Sequence, residues 1–386
     1  MSNALELIET MLAIPGPSGQ EAAVQRFIVD QLIDAGADRT WIKTDDAQRR
    51  TPIDGECGNL CLCLPGTIDG PRRLLMAHMD TVPICVGCKP VRSDNMITSA
   101  DPATGLGADN RSGCAVILNA ALRILRDGLP HPPLTFLWTI QEEIGLQGAR
   151  HVDVDMLGAP ELGFNFDGGS PNKLTIGATG AYRLNIDIDG IASHAGVRPS
   201  DGVSSITVAS MAIAKLQADG YLGRIEQPEG KGTANIGTIH GGQATNVLAP
   251  KTSLTAEIRS HDSVFRKRVL DRFQSTFEEA VASVTNAAGE HGCVHMESRL
   301  DYESFALDDR SVVIQVAEDA VRAVGKEPFH AITDGGIDPN WLNLHGVPTV
   351  SFGAGQVNFH TVHEALDIQQ FLEACDIAMK LATFAT

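Results

Sequence analysis

The hydrophobic positions at both ends of the chain follow two alternating patterns. Three short runs are almost wholly apolar, which is typical of parallel strands covered on both faces: residues 74–77, 134–140 and 347–352. Apolar residues recur at helical spacing over residues 111–127, 311–324 and 367–382. Strands that alternate with helices in this way predict an α/β domain with a mostly parallel sheet.

A capping-box pattern near the N-terminus predicts a further helix. Ser18 and Glu21 have the spacing of the box, and apolar residues such as Val24 and Ile28 follow at helical spacing as far as Gly36. We therefore expect the first helix of the chain to begin at this point.

The middle of the chain has a different order of elements, β-α-β-β-α-β, which is the order of ferredoxin-like folds. The strands and helices are predicted, in chain order, at residues 182–188, 203–216, 233–239, 253–258, 263–287 and 294–300. This order predicts an inserted α+β domain over residues 179–301, within an α/β domain made of residues 1–178 and 302–386.

Charge and composition narrow the class of protein. The 386 residues contain 30 Lys and Arg against 48 Asp and Glu, a net charge of -18, which disfavours nucleic acid and anionic membranes as partners. Charged residues interrupt every apolar run, so we expect no transmembrane helix. Glu6 and Glu9 and the lack of a basic segment near the N-terminus argue against a signal peptide. We expect a cytoplasmic protein whose eight cysteines are reduced.

Acidic residues and histidines follow the predicted strands. The carboxyl ends of parallel strands are where open α/β sheets bind their ligands, so residues far apart in sequence can converge there. The candidates are His78, Asp80, Asp109, Asn110, Glu142, Glu143, Asp167, His360, His363 and Glu364. Two histidines and three carboxylates suit Zn²⁺, Co²⁺ or Mn²⁺, and two metals need a shared carboxylate. The set therefore indicates a two-metal site.

Each candidate also has an ordinary structural explanation. Asp109 precedes a predicted helix, where an Asp is most often an N-cap. The adjacent Glu142 and Glu143 are harder to explain, because two like charges at a buried strand end are unfavourable unless a cation neutralises them.

The motifs together resemble those of the M20 zinc metallopeptidases, most closely the peptidase T (tripeptide aminopeptidase) and peptidase T-like branch. The matching segments are residues 78–83, 107–110, 142–145, 167–169 and 193–196, and the pair His360 and Glu364. The resemblance covers essentially the whole chain. It implies a catalytic domain of the zinc-exopeptidase type with an inserted lid.

The resemblance also implies the metal ligands. His78 and Asp167 would bind one metal, Glu143 and His360 the other, and Asp109 would bridge both. His360 is chosen over His363 because the family ligand stands four residues before a Glu.

Two further residues have roles that make physical sense beside these ligands. Asp80 can accept the second imidazole N–H of His78 and fix its tautomer. Glu142 would be the general base that deprotonates a water activated by the two metals and then passes the proton to the leaving amine.

In the inserted domain, His194 matches the family's lid histidine, which stabilises the oxyanion across a dimer interface. Asn246 and Arg259 match positions that hold the substrate backbone or its carboxylate, although both can equally be structural. The loop at Gly335 and Gly336 lies where peptidase T has a Gly-Gly-Thr-Asp-Gly segment. Its altered sequence puts strict tripeptide specificity in doubt.

Cys85 and Cys88 form a lone CxxC pair. The alternatives are a redox role and a structural zinc site shared with Cys61 and Cys63, but no βαβ redox context surrounds the pair. Free buried thiols are the preferred interpretation.

These observations favour a homodimeric cytoplasmic exopeptidase with two divalent metals, most simply zinc, that cleaves short peptides such as tripeptides from the N-terminus. Alternatives on the same scaffold are a carboxypeptidase and an N-acyl-amino-acid amidohydrolase. A catalytically silent binding protein is disfavoured because the ligands and the base are all present. The related M42 aminopeptidases are disfavoured by the β-α-β-β-α-β insertion and the Ser193–Gly196 motif.

Overall fold

The computed structural model describes residues 2–383, which form two compact units. The first unit comprises the chain through Ala178, Phe305–Thr333 and the residues from Ile337 onward; the second comprises Thr179–Ser304 and Asp334–Gly336. The second unit thus ends at Ser304 rather than at residue 301 and includes a short later segment. Residues 1 and 384–386 of the predicted ranges lie outside the described residues.

The first unit begins with two helices and most of its strands. In chain order these elements are α1 (Ser2–Leu12), α2 (Ala22–Asp34), β1 (Ile42–Thr44), β2 (Leu60–Leu64), β3 (Arg73–His78), β4 (Pro90–Ser93), β5 (Met96–Ser99), α3 (Ala108–Asp127), β6 (Leu134–Thr139), α4 (Gln147–Arg150), β7 (Leu162–Phe166) and β8 (Lys173–Ala178).

The chain then forms the second unit and returns to the first. The second unit contains β9 (Gly180–Asp189), α5 (Ser205–Ala218), β10 (Gly223–Gln227), β11 (Gly230–Gly241), β12 (Lys251–Ser260), α6 (Ser263–Ser283) and β13 (Cys293–Tyr302). The remaining elements of the first unit are β14 (Phe305–Ala306), α7 (Val312–Ala323), β15 (Phe329–Thr333), α8 (Pro339–Leu344), β16 (Thr349–Phe352), β17 (Gln356–Val357), β18 (Ala365–Asp367) and α9 (Ile368–Thr383).

The main sheet of the first unit has the order β1-β2-β6-β3-β7-β16-β8-β14, with β15 also paired to β8. The central pairs β6–β3, β3–β7 and β7–β16 are parallel, and all residues of β3 and β6 are buried. This confirms the predicted α/β class. The parallel strands β3, β6 and β7 end at the same edge of the sheet: β3 ends at His78, and β6 and β7 end shortly before Glu142 and Asp167.

The second unit is an antiparallel sheet of order β10-β11-β12-β9-β13, whose core is shared with α5 and α6. The predicted β-α-β-β-α-β elements are present, but β10 was not predicted. Its sequence has only one buried residue, Ile225, so it lacks the apolar alternation that marks a strand. The predicted helix over 263–287 ends at Ser283, because Val284 has an extended backbone.

The prediction that the first helix begins at the capping box is wrong in two respects. Helix α1 precedes it, and α2 begins at Ala22 without a side-chain cap. Ser18 donates its hydroxyl hydrogen to the Asp80 carboxylate at 2.6 Å, and Glu21 accepts from the backbone of Gly19. Both polar groups are used for long-range or loop contacts instead of the cap.

Among residues 2–383, no helix is both long and apolar enough to cross a membrane.

Candidate metal centre

His78, at the end of β3, is 2% exposed and is held from both sides. Its Nδ1 lies 3.1 Å from the backbone oxygen and 3.3 Å from Oδ1 of Asp80. Its Nε2 faces Oδ1 of Asp109 at 3.3 Å and Oδ2 of Asp167 at 3.9 Å. Asp80 therefore orients one imidazole nitrogen, and the other nitrogen is directed at a group of carboxylates.

Asp109 lies between two groups of candidate ligands. Its Oδ1 faces His78, and its Oδ2 lies 3.2 Å from Nε2 of His360. His360 Nε2 also lies 2.9 Å from Oε2 of Glu143. Donor atoms of His78, Asp109 and Asp167 lie within 4.8 Å of one another, and so do those of Asp109, Glu143 and His360. The structure thus gives two trios of donors that share Asp109.

The residues present fit two divalent cations. Asp109 Oδ1 is buried without a hydrogen bond of good geometry. Burial raises the pKa of Asp167 well above its ordinary value, and burial also raises the pKa of Glu143. Hydrogen bonds with Asp109 and Glu143 raise the pKa of His360 to about 10. Crowded carboxylates that need positive charge, beside imidazoles that can release protons, are a suitable donor set for such cations.

Glu142 lies beside both trios but belongs to neither. Its Oε2 is 3.9 Å from His78 Nε2, and its side chain is 11% exposed. Burial raises the pKa of Glu142 well above its ordinary value, while His78 opposes this shift. A buried carboxylate with a raised pKa next to a metal centre suits proton transfer at neutral pH.

Asp80 is fully buried and organises the turn after β6. Its Oδ1 accepts from the Glu142 N–H at 2.9 Å, and its Oδ2 accepts from the Glu143 N–H at 3.2 Å. Burial opposes the charged form, but hydrogen bonding to His78 and Ser18 lowers the pKa of Asp80. The same carboxylate therefore positions the His78 ring and both neighbouring glutamates.

Glu364 positions the loop that carries Asp109, a contact that the sequence pattern did not predict. Its Oε2 accepts from the N–H groups of Leu106 at 2.9 Å and Gly107 at 2.6 Å, and its Oε1 accepts from Asp109 N–H at 2.9 Å. The side chain is 2% exposed. This explains structurally why a glutamate follows His360 by four residues.

Two more buried carboxylates near the centre were also missed. Glu21 Oε1 accepts from the backbone N–H of Gln141 at 3.1 Å, directly before Glu142, and Gln141 has a positive φ of 52°. Asp338 accepts from the Thr139 hydroxyl, and burial raises the pKa of Asp338 to about 6. Both had a sequence signal: the capping-box interpretation gave Glu21 another role, and Asp338 lies in the segment compared with the Gly-Gly-Thr-Asp-Gly loop but was given no role.

Asp109 differs from expectation in two ways. It does not follow a strand of the main sheet; it lies at the start of α3, where its own backbone and that of Asn110 are non-helical. The N-cap explanation is also wrong for Asp109, because Asn110 Oδ1 accepts from the Gly113 N–H at 3.1 Å, as a capping side chain does. His363 is exposed and belongs to neither trio.

His194 and Asn246 lie together in the second unit. An isolated β-bridge joins His194 to Val247, and the Ala195 N–H donates to the backbone oxygen of Asn246 at 2.9 Å. His194 Nδ1 accepts from the N–H groups of Gly196 and Val197, both at 3.2 Å. The ring therefore both caps a turn and, because Nδ1 is an acceptor, presents an exposed Nε2–H.

Arg259 and the 334–336 segment form another part of the second unit. Arg259 pairs with Glu257 at 3.0 Å and donates to the Asp334 backbone oxygen at 3.3 Å. Gly336 lies against the Tyr302 ring, where a Cβ would come within 2.5 Å, and Gly335 is its neighbour. Arg259 also lines a cavity of about 340 Å³ with Arg224 and Lys231 among its other residues.

Cys85 of the CxxC pair has different contacts from the two cysteines of β2. Cys85 donates to Glu364 at 3.4 Å, whereas Cys61 and Cys63 lie next to each other on β2. All eight cysteines are free thiols.

The α/β fold brings together two donor trios with a buried carboxylate beside them, an arrangement that suits a metal-dependent hydrolase. Residues 74–383 match peptidase family M20/M25/M40, and the chain belongs to that family. It is therefore a metallopeptidase, as the motif resemblance predicted.

Relatives and solved structures support this assignment over nearly the full chain. YqjE, an uncharacterized Bacillus subtilis protein, is 31% identical over 386 residues, covering 99% of this chain and 98% of its own. The structure of a Staphylococcus aureus tripeptidase has 29% identity and a TM-score of 0.89, covering 99% of this chain and 97% of that one. The structure of aminopeptidase PepT from Bacillus cereus has 29% identity and a TM-score of 0.86, with 99% and 98% covered.

Replacement of the shared ligand should change the metal count. We expect Asp109→Ala to bind fewer than two ions per chain, because both trios lose a carboxylate. Elemental analysis after reconstitution and desalting measures the count. The matched control is His363→Ala, which should keep the wild-type count. A wild-type count of one at saturating metal would contradict the sharing of Asp109.

Proposed function

We propose that this protein is an aminopeptidase that removes the N-terminal residue of short peptides, tripeptides among them, with two bound divalent cations. The sharing of Asp109 by two donor trios is the observation that carries the two-metal part. The substrate class is supported by the similarity to two enzymes of known structure, a tripeptidase and an aminopeptidase.

The roles of the residues follow from their contacts. His78, Asp109 and Asp167 would hold one cation, and Asp109, Glu143 and His360 the other. Bound cations would polarise the scissile carbonyl and acidify a water. Mixed imidazole and carboxylate donors make zinc our first choice, with cobalt or manganese as alternatives.

Glu142 supplies the proton transfers in this proposal. Asp80 holds the backbone N–H groups of both Glu142 and Glu143, so the two neighbouring side chains are kept in different places. Glu143 reaches His360, whereas Glu142 remains outside the donor trios and is free to accept a proton from the attacking water and return it to the leaving amine.

The second unit contributes the remaining proposed contacts. His194, with an exposed Nε2–H, suits stabilisation of an oxyanion. Asn246 and Arg259, with the backbone at Gly335 and Gly336, would hold the peptide. Because Glu257 already pairs with one edge of the Arg259 guanidinium, only the remaining N–H groups of Arg259 would contact the peptide carboxylate. We propose further that this unit is a lid and dimerisation domain and that the enzyme is cytoplasmic, which its free thiols support.

A substrate screen tests the proposed activity. The metal-reconstituted enzyme should cleave unblocked tripeptides and release their first residue, and it should leave N-blocked peptides and N-acyl amino acids intact. Product identification by mass spectrometry distinguishes the first residue from the last. Release of the C-terminal residue, or preference for N-acyl amino acids, would instead identify the carboxypeptidase or the amidohydrolase.

The two neighbouring glutamates should respond differently to the same change. Glu142→Gln should keep the metal count and lower kcat by roughly 10²- to 10⁴-fold, because an amide cannot accept the proton of water. Glu143→Gln should lose metal affinity as well as rate, because it removes charge from a donor trio. Metal analysis and kinetics on one tripeptide compare them. Near wild-type turnover of Glu142→Gln would exclude it as the base.

Mixed dimers test whether His194 acts in the partner's site. Glu142→Gln and His194→Ala subunits should each be nearly inactive alone. Co-expressed with different tags, they should recover about a quarter of wild-type activity on random pairing, since one site of each mixed dimer is then complete. The control is a subunit that carries both changes, Glu142→Gln and His194→Ala, expressed alone. It should stay nearly inactive, because none of its dimers contains a complete site. A fully active monomer would refute the proposal.

A further inference from the structure

Glu21 is a buried carboxylate whose long-range contact lies outside its own helix. It directly precedes α2, but its side chain makes no capping hydrogen bond to that helix, and it is 0% exposed. Its Oε1 accepts from the Gly19 N–H at 2.9 Å and from the Gln141 N–H at 3.1 Å. A carboxylate at the start of α2 therefore holds the residue that directly precedes Glu142.

Gln141 has a backbone conformation that needs such support. It is fully buried, and its φ of 52° lies in the left-handed region, which a residue with a Cβ atom rarely adopts. Its N–H donates to Glu21, and its backbone oxygen accepts from the Gln147 N–H at 3.1 Å. Both backbone polar groups of Gln141 are therefore fixed by partners from outside the residue.

The same pattern of hydrogen bonds continues in the next two residues. The N–H groups of Glu142 and Glu143 donate to Asp80 at 2.9 Å and 3.2 Å. Two buried carboxylates thus accept from three consecutive N–H groups, and Glu21 accepts from the first of them. Because Asp80 has no such bond with the Gln141 N–H, the direction in which the chain enters Glu142 depends on Glu21.

We propose that Glu21 is a positioning residue for the hydrolysis, which holds the Gln141 backbone so that the Glu142 carboxylate keeps its place beside the donor trios. The inference rests on the proposed role of Glu142 as the base. Glu21 belongs to neither trio and acts only through Gln141. A displacement of about 1 Å at a reacting group can lower a rate by about 10²-fold, so a remote backbone contact can control catalysis.

The length of the Glu21 side chain should matter more than its charge. Burial raises the pKa of Glu21 to about 7, and the nearby Asp80 adds to the shift. Its Oε2 is buried and makes no hydrogen bond with the residues that the structure describes. A neutral side chain that keeps an oxygen at the Oε1 position should therefore be sufficient. Gly19 is only two residues away, so a shorter side chain can still reach it, whereas Gln141 is 120 positions away.

Two substitutions separate length from charge. Glu21→Gln keeps the length and one acceptor oxygen, and it should retain most of the wild-type kcat. Glu21→Asp keeps the carboxylate but is one methylene shorter, and it should lower kcat by at least about 10-fold with little change in KM. Both should keep the wild-type metal count, because neither trio loses a donor. Kinetics are compared on whichever peptide the wild type cleaves, so an error in the proposed substrate class does not affect the result.

Gln25→Ala is the matched control within α2. The Gln25 Nε2 donates to the Gly58 oxygen at 2.8 Å, so this contact also ties α2 to the rest of its unit but does not involve Gln141. The control should lower thermal stability and leave kcat unchanged. A merely structural role of Glu21 would give Glu21→Asp the same behaviour.

Hydrogen exchange gives a measurement that needs no substrate. Mass spectrometry of the segment 140–147 should show faster exchange in Glu21→Asp, whereas Glu21→Gln and Gln25→Ala should resemble the wild type. In the wild type itself, the Gln141 amide should exchange as slowly as the Glu142 and Glu143 amides. This comparison within the wild type remains decisive even if a variant fails to fold.

The inference is overturned if Glu21→Asp keeps the wild-type kcat, or if Glu21→Gln loses as much activity as Glu21→Asp. It is also overturned if the Gln141 amide exchanges rapidly in the wild type, or if Glu21→Asp loses metal, since the effect would then act through Glu143. An error in the base assignment appears separately, as near wild-type turnover of Glu142→Gln.

Discussion

The candidate centre depends above all on one buried carboxylate, that of Asp80. Its Oδ1 faces the His78 ring and accepts from the Glu142 N–H, and its Oδ2 accepts from the Ser18 hydroxyl and the Glu143 N–H. These partners come from the ends of two parallel strands and from the loop before α2. A charge that is removed from water needs all of these donors, so the orientation of each partner is coupled to the others.

A second buried carboxylate, Glu364, has the same function for Asp109. It accepts hydrogen bonds from two backbone N–H groups in the loop before α3 and from the N–H of Asp109 itself, and so it sets where the Asp109 side chain can reach. Because Glu364 follows His360 by only four residues, one short segment supplies a candidate ligand and also supports another, Asp109. Loop residues can therefore be placed as accurately as strand residues when buried charge holds their backbone.

The fold and the first set of site residues could be predicted because their signals are local. Apolar runs and helical spacing located the elements around β3 and β6, and the motifs located His78 and Glu143. The contacts of Glu21 and Glu364 could not be predicted, since each joins residues more than 100 positions apart and leaves no periodic pattern. Strand β10 was missed for a related reason: an edge strand with one buried side chain has no apolar alternation.

The unequal burial of the two imidazoles has a consequence for how ions would enter and leave. The side chain of His78 is 2% exposed, whereas that of His360 is 48% exposed. If the two trios hold ions, an ion beside His360 would meet more solvent than an ion beside His78. The two ions would then differ in how fast they exchange, with the one beside the exposed histidine leaving first.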